Sequence, residues 1–292
     1  MTLDTHRPRL LRLWPTAPGR TGSLLAWSIA GLVVVALYAF VVPLLAGGDL
    51  RLTDFAAAHQ PPSSSHRFGT DPAGRDLFVR TAAGLRVSLM IAAVCAVVST
   101  VLGVAVGVAA GALGGWTDRI VMRLVDGINA LPHLLLGIAV VALYPGNVVA
   151  IVASIALTHW TQVARISRAE VRTARTGTYI EAAQLGGATR TRVTVTHLVP
   201  AAASQALVAV VLLLPHAIWH ESTLSFLGLG LPPDRASLGT LLQDARAAVL
   251  TGSWWTLAFP AAALILTTLL VAAVGVAVRD RITVPAAERA VR

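Results

Sequence analysis

Two histidines and a glutamate lie close together in the second half of the sequence. His216 and His220 are four residues apart, so they would share one face of a helix, and Glu221 follows directly. Imidazole and carboxylate groups are common ligands of transition metals, so this spacing could form a metal site. We instead favour the lining of a polar pathway or gate, extended by Ser225 and Phe226, and ordinary polar packing is a third interpretation. We predict no metal site.

A second stretch, "YIEAAQLGGATRTRVTVTHLVP" (179–200), is charged and polar although long apolar runs lie on both sides. The segment that begins at Glu181 favours helix, and the glycine pair that ends at Gly187 should terminate it. Ala182 and Ala183 would leave a shallow surface, without the bulky apolar stripe of a helix that rests on lipid. We therefore interpret the stretch as a protein docking element. Glu181 would cap the helix or pair with a partner's arginine, and Gly187 would give the turn its backbone freedom.

The composition is that of a membrane protein. Of the 292 residues, 55% are hydrophobic and only 13% are charged, and the mean hydropathy is +0.72. This balance favours a chain that crosses the bilayer several times. Cys95 is the only cysteine, which excludes an intramolecular disulfide and a cysteine-based metal site.

The charge pattern excludes further functions. The formal net charge is +9, and every basic residue other than histidine is an arginine, because the sequence contains no lysine. A Walker A loop needs a lysine at the phosphates, so any ATP that drives this protein must bind another polypeptide. The arginines are scattered between apolar runs rather than clustered on a soluble surface, which argues against nucleic acid as a partner.

Six apolar runs could cross a hydrocarbon core of about 30 Å as helices. These predicted spans are Leu24–Ala46, Val87–Gly114, Met122–Tyr144, Val148–Ala164, Leu198–His220 and Trp254–Val278. The predicted fold class is an all-α membrane protein with six transmembrane helices, and the first run is interpreted as a span rather than a cleaved signal peptide. The second span carries a glycine stripe at four-residue spacing, which we expect to pack within the chain. The stripe consists of Gly103, Gly107, Gly111 and Gly115.

The distribution of arginines predicts the orientation. Most of the 23 lie in the tails and in the segments after the second and fourth spans. The positive-inside rule then places both tails, 1–23 and 279–292, in the cytoplasm, together with the loop at 165–197 that holds the docking element. Residues 47–85 become an extracytoplasmic loop, and residues 86–278 a domain of five helices. At the inner surface, Arg123 and Asp126 are expected to pair within one helix.

Several motifs together resemble one family. "EAAQLGG", followed by "HLVP", resembles the EAA loop of type I ABC-importer permeases. "HRFGTDPAGRDLFVR" (66–80) resembles the GTD-x-x-GRD segment of the branch that imports peptides and nickel. "GGWTDRIVMRLVDGINALP" (114–132) and "ESTLSFLGLGLPPD" (221–234) look like the second-permease subunit of that branch. The likeness covers roughly residues 20–282.

The resemblance implies the type I ABC importer permease fold and a transport subunit without a catalytic site. Glu181, Ala182, Ala183 and Gly187 match the family's coupling helix, which sits in a groove of an ATPase. The implied partners are a homologous second permease, two ABC ATPases or one two-domain ATPase, an extracytoplasmic solute-binding protein, and the lipid of a bacterial inner membrane. No cofactor is expected on this chain, since ATP and Mg²⁺ would bind the ATPases.

The sequence leaves alternatives open for the cargo and for the energy source of transport. Short peptides, dipeptides or oligopeptides, are the expected cargo, and nickel or haem-like compounds are the alternatives within the same architecture. A secondary transporter driven by an ion gradient would need buried charges or a broken helix at mid-membrane, and the spans offer few such charges. An intramembrane enzyme would need a nucleophile–base pair or a metal motif in mid-span, and the sequence shows neither.

A charged group in the extracytoplasmic loop has two interpretations. Asp71, Arg75 and Asp76 could contact the solute-binding protein that the resemblance implies, or help shield the outer mouth of the pathway. They could also form a locally capped turn, because Asp71-Pro72 is a good start for a turn or helix and Gly74 eases the turn. The sequence does not separate these two interpretations.

Overall fold

The computed structural model of the chain describes residues 20–47, 52–232 and 235–283. In these residues the secondary structure is helical, apart from a bridge between Thr70 and Asp76. The α-helices are α1 Arg20–Leu45, α2 Leu77–Leu113, α3 Gly115–Asn129, α4 His133–Ala142, α5 Val148–Arg175, α6 Thr178–Leu185, α7 Arg190–Val193, α8 Val199–Phe226, α9 Leu238–Leu250 and α10 Trp255–Thr283. A short 3-10 helix covers Phe55–Ala57 and a π-helical turn covers Thr194–Leu198.

The helices confirm an all-α membrane protein. Within the described residues, five helical segments are long and apolar enough to cross a membrane, and a sixth span results if α3 and α4 are counted together. The segments before residue 20 and after residue 283, where most of both predicted tails lie, are outside the described residues. The cytoplasmic placement of both termini therefore stays a prediction.

The third predicted span is wrong as one continuous helix. Instead of running from Met122 to Tyr144, the chain forms α3 and α4, whose axes meet at 83°. Pro132 is the N-cap of α4, with extended backbone angles. Proline lacks an N–H and disfavours helical angles in the residue before it, so the helix cannot continue through Leu131.

Other predicted boundaries shift because helices extend beyond their apolar runs. The second span begins at Leu77 rather than Val87, since the Asp76 side chain accepts a hydrogen bond from the Val79 N–H and caps the first turn. The α5 helix continues through the arginine-rich segment to Arg175. The α8 helix continues past His220, which places Glu221 inside a helix rather than after one.

Helix α2 is the central element of the bundle and packs along α5 and α8. A β-carbon added at Gly103 would lie 2.5 Å from Val163 Cβ, and one at Gly107 would lie 2.5 Å from the Ala164 carbonyl oxygen. Gly111 approaches Val171 in the same way. The expected packing of the glycine stripe within the chain is confirmed for these three glycines. Gly115 differs, because it has a positive φ and open space around it.

The remaining helices surround α2, α5 and α8. Helix α1 packs on α2 and α10, and α10 also packs on α8 and α9. The main apolar core lies between α1, α2, α5, α8 and α10; its largest fully buried side chains include Leu85, Ile151, Ile155, Ile218 and Leu224. A second core, at the other end of α2 and α5, receives Ile180 from α6 and Val193 from α7.

Candidate functional site

The short helix α6 is held against the bundle by one side and is open on the other. Ile180 is buried in the second core, and Ala183 is half-buried beside it. Glu181 and Ala182 are exposed, and the Leu185 side chain is 91% exposed. Within the described residues, this side of α6 is therefore left uncovered. We call Glu181, Ala182, Ala183 and Leu185 the α6 surface.

The glycine pair ends α6 as predicted. Gly186 is the C-cap with an ordinary φ of −74°, whereas Gly187 has a φ of +84°. The Ala188 N–H then donates to the Ala183 carbonyl over 3.0 Å, and the Gly187 N–H donates to the Gln184 carbonyl over 3.0 Å. This is a helix stop that needs a left-handed residue. The backbone, rather than any contact of a side chain, therefore requires glycine at 187.

Glu181 does not cap the helix. Gly177 is the N-cap of α6 and no side chain bonds to its first turn. Within the described part of the chain, the Glu181 carboxylate has no hydrogen-bond or ion-pair partner. Its position in the first turn still suits the positive end of the helix dipole. The second interpretation, pairing with a partner's arginine, stays a prediction.

Helix α3 is tied to the arginine-rich end of α5 by ion pairs. Arg168 donates to both carboxylate oxygens of Asp118. Arg165 Nη2 lies 2.8 Å from Asp126 Oδ1. The predicted pairing of Asp126 with Arg123 is wrong, because the neighbouring helix supplies the partner. A bidentate pair that joins two helices fixes their relative position more firmly than a pair along one helix. The support of the α6 surface is thus connected to the broken third span.

Glu221 is a fully buried carboxylate at the junction of three helices. Its Oε2 accepts a hydrogen bond from Ser88 Oγ of α2 over 2.7 Å, and its Oε1 accepts one from Ser225 Oγ over 2.9 Å. Ser88 Oγ in turn accepts the Leu238 N–H at the start of α9, over 3.2 Å. The carboxylate therefore joins α2, α8 and α9, which is a positioning role.

The remaining residues of the predicted pathway group also contact α9 and its connection. Ser225 Oγ accepts the Leu231 N–H over 3.3 Å, and Arg246 of α9 places its guanidinium 5.1 Å from the centre of the Phe226 ring. A cation over an aromatic face is attractive. Both residues stabilise the C-terminal end of α8. Whether Ser225 and Phe226 line a pathway stays a prediction.

The two histidines of the predicted group belong to a larger cluster. His159 of α5 is buried, and its ring centre lies 4.9 Å from that of His220 and 6.3 Å from that of His216. His133, the first residue of α4, lies 5.9 Å from His159 on another side. We call these four residues the histidine cluster. Glu221 is not part of it, because its carboxylate is bonded to serines, and the described residues hold no group of three side chains arranged for a metal ion.

Sequence reasoning missed His133 and His159. They are separated by 26 positions and lie on different helices, so no local periodicity connects them to His216. The signal that could have found them is the rarity of polar rings inside apolar runs, together with the proline that precedes His133. The break at Pro132 brings His133 to the other three.

The charged group in the loop between α1 and α2 forms a capped turn, as one of the two interpretations expected. Asp71 is 2% exposed; its Oδ1 accepts the N–H groups of Ala73 and Arg75, and its Oδ2 lies 2.7 Å from Arg75 Nε and 3.1 Å from Arg80 Nη1. Asp76 caps α2 and pairs with His66 over 2.9 Å. Contact of Asp71, Arg75 and Asp76 with a binding protein stays a prediction.

This turn is connected to α9 and α10. Asp244 Oδ2 of α9 lies 3.8 Å from Arg75 Nη2 and 3.7 Å from Arg80 Nη2. The Trp255 indole N–H donates to the Thr70 carbonyl over 3.2 Å. Burial raises the pKa of Asp244 to about 6, although the nearby Arg75 acts to lower it. The loop is therefore part of the folded bundle rather than a separate flexible arm.

Comparison with known proteins identifies one group of relatives. Residues 103–284 match the sequence profile of the family described as "Binding-protein-dependent transport system inner membrane component". The oligopeptide transport system permease protein OppC of Bacillus subtilis (strain 168) is 37% identical over 92% of this chain and 89% of its own length. That of Escherichia coli (strain K12) is 40% identical over 87% and 84%. The dipeptide transport system permease protein DppC of Bacillus subtilis is 34% identical over 80% and 74%.

Proposed function

Because the chain belongs to the family of binding-protein-dependent transport system inner membrane components, we propose that it is a permease subunit through which an ATP-driven importer moves short peptides across the cytoplasmic membrane of a bacterium. The observation that supports peptides as the cargo is the match of 80–92% of this chain to oligopeptide and dipeptide permeases at 34–40% identity. None of these three relatives is named for nickel or haem. Peptides are therefore preferred to either alternative cargo.

The permease works with separate proteins in this proposal. A homologous second permease completes the transmembrane pathway, two ABC ATPases or one two-domain ATPase bind ATP and Mg²⁺, and a solute-binding protein delivers the peptide outside. The absence of any lysine in the sequence supports this division, because a Walker A loop cannot be formed by this chain. The chain itself catalyses no reaction.

The α6 surface is the proposed contact with the ATPase. The exposed Leu185 side chain is an apolar anchor, and the exposed Glu181 carboxylate is free to meet an arginine of the partner. When the ATPases close on ATP, movement of this surface is transmitted to the bundle through Ile180 and Val193 in the second core. The bundle then changes between inward-open and outward-open states by rigid-body motion. This orientation requires the α6 surface and both termini to face the cytoplasm.

The direct test is transport by the assembled complex. The two permeases, the ATPases and the binding protein are reconstituted in liposomes, and uptake of a labelled tripeptide is measured with ATP. We expect peptide uptake only when both permeases, the ATPases and the binding protein are all present. We also expect ATPase activity to rise when the complex assembles. Uptake that persists without ATPases and depends on an ion gradient would support a secondary transporter and refute the proposal.

Gly187→Val tests the coupling role, with Gly186→Ala as the matched control. Among the described residues, no heavy atom lies within 4 Å of a β-carbon added at 187, so the expected cost of a side chain there is the positive φ, about 1–2 kcal/mol. Gly186 has an ordinary φ, so alanine is tolerated there. We expect the valine variant to insert and assemble, but to hydrolyse ATP without peptide uptake. Uptake near the wild-type rate by Gly187→Val contradicts the assignment.

A further inference from the structure

We propose that the histidine cluster is a binding site for the terminal carboxylate of a peptide in transit, and that the cluster takes up a proton as the carboxylate binds. The inference rests on the proposed function, since it concerns how the pathway receives its cargo. His133, His159, His216 and His220 come from three helices, α4, α5 and α8, and their rings converge on the buried His159.

The tautomers of two of these rings make carboxylate binding depend on a proton. His159 Nδ1 lies 2.9 Å from the Ile155 carbonyl oxygen, and His216 Nδ1 lies 3.1 Å from the Leu212 carbonyl oxygen. A carbonyl only accepts, so each contact is a hydrogen bond in the tautomer that carries the hydrogen on Nδ1, and in that tautomer Nε2 is an acceptor while the ring is neutral. An anionic carboxylate cannot bond to such an Nε2 until the nitrogen is protonated.

Among the described residues, the cluster has no paired counter-charge. Across the described ranges, no carboxylate lies within 4.0 Å of any of the four rings, and the side chains of His133 and His220 make no hydrogen bond there. The groups that face the central ring are the Thr158 hydroxyl of α5, His133 of α4, and His216 and His220 of α8. A buried cation without an anion is unfavourable, so protonation and binding of a carboxylate favour each other.

The position of the cluster suits a pathway. Helix α4 has ten residues and no charge, so it spans about 15 Å, half of a bilayer core of about 30 Å. If its end at Ala142 lies at one edge of the core, its start at His133 lies near mid-membrane, where broken helices usually line a cavity or a transport site. The start of α4 has no side-chain cap, and its free N–H groups add positive potential. His216 is exposed on the surface of this chain, and a polar ring there favours water over lipid.

The free peptide supplies the matching group. Every peptide with an unmodified C-terminus carries a terminal carboxylate, whatever its side chains, so a site for this group serves cargo of mixed sequence. A peptide amide has the same size without the negative charge. The structure thus predicts that the pathway itself distinguishes a peptide acid from its amide, and does so more strongly at low pH.

The experiment compares uptake of a tripeptide and of its C-terminal amide by the complete reconstituted transporter at pH 6 and pH 8. The double variant His133→Gln/His220→Gln keeps polar side chains but cannot become charged, and neither histidine side chain makes a hydrogen bond with the described residues. The same binding protein serves both transporters, so its own preference for the acid cancels in the comparison. Ser204→Ala is the control, an exposed change on α8 about three turns before His216.

At pH 6 we expect the ratio of acid uptake to amide uptake to be about tenfold lower in the double variant than in the wild type, the effect of one lost charge-assisted hydrogen bond. The difference should shrink at pH 8, and Ser204→Ala should keep the wild-type ratio. Equal ratios in wild type and double variant at both pH values overturn the inference. If the double variant does not assemble, the wild type alone decides. The inference is then overturned if the wild-type ratio of acid uptake to amide uptake, corrected for the affinities of the binding protein, is the same at pH 6 and pH 8. Wild-type complex that imports neither compound refutes the proposed function instead.

Discussion

The close contact between α2 and α5 can be tested by adding one methyl group. In Gly107→Ala the new β-carbon would lie 2.5 Å from the Ala164 carbonyl oxygen and 2.8 Å from Ser167 Cβ. Ordinary contacts begin at 3.4 Å, so the helices must separate by about 0.9 Å or the residues must shift. Overpacking of this size costs about 1–3 kcal/mol. Alanine also gains about 1 kcal/mol of helix propensity over glycine, which partly hides the cost.

Gly127→Ala removes this ambiguity because it receives the same propensity gain. Gly127 is helical, lies in α3, and has no heavy atom within 4 Å of an added β-carbon. The assay is thermal unfolding of both purified variants in the same detergent. We expect Gly107→Ala to melt below Gly127→Ala by about 2–4 °C for each kcal/mol of clash. Equal melting temperatures would refute the reasoning, since the two helices would then not be in the contact that the structure shows.

Three other predictions concern separate parts of the molecule. Glu221→Ala leaves the hydroxyls of Ser88 and Ser225 without their acceptor in a buried place, so it should lower stability by about 2–4 kcal/mol in thermal unfolding, whereas Glu221→Gln should cost less. The pKa of Asp244 is raised to about 6, so its contribution to the free energy of unfolding is complete below about pH 4 and is lost as pH rises through 6. Asp244→Asn should therefore make the melting temperature vary less between pH 5 and pH 8. A pH dependence equal to that of the wild type contradicts this. Leu185→Ser should leave the melting temperature unchanged but weaken binding of the ATPases in a pull-down from detergent, and full binding would remove the α6 surface from the contact.

Features governed by local chemistry were predictable from the sequence. The end of α6 follows from two adjacent glycines, and the capped turn at Asp71 follows from an aspartate before a proline. The packing of Gly103, Gly107 and Gly111 follows from their spacing, because small residues four apart lie on one helix face. In each case the residues that decide the structure lie within a few turns of one another.

Features that depend on tertiary contacts were not predictable in the same way. Asp126 pairs with Arg165 of another helix instead of Arg123 of its own, and nothing in the local sequence shows which arginine is nearer. Glu221 looked like a companion of His220, but the serines of α2 and α8 turn its carboxylate away. Pro132 breaks the helix locally, but the 83° angle and the approach of His133 to His159 follow from packing among three helices.

The length of α5 decides how far the docking surface stands from the membrane. The helix has 28 residues, so it is about 42 Å long, about 12 Å more than a hydrocarbon core of 30 Å. If Val148 lies at one edge of the core, the other end of α5 extends about 12 Å beyond the opposite edge. Ile180, on the helix that follows, then lies near the outer surface of the lipid headgroups. At physiological ionic strength the charge of anionic lipids is screened within about 8 Å. The α6 surface lies within that distance of the headgroups, so binding of the proposed ATPases should change when the lipid charge of the vesicle is varied.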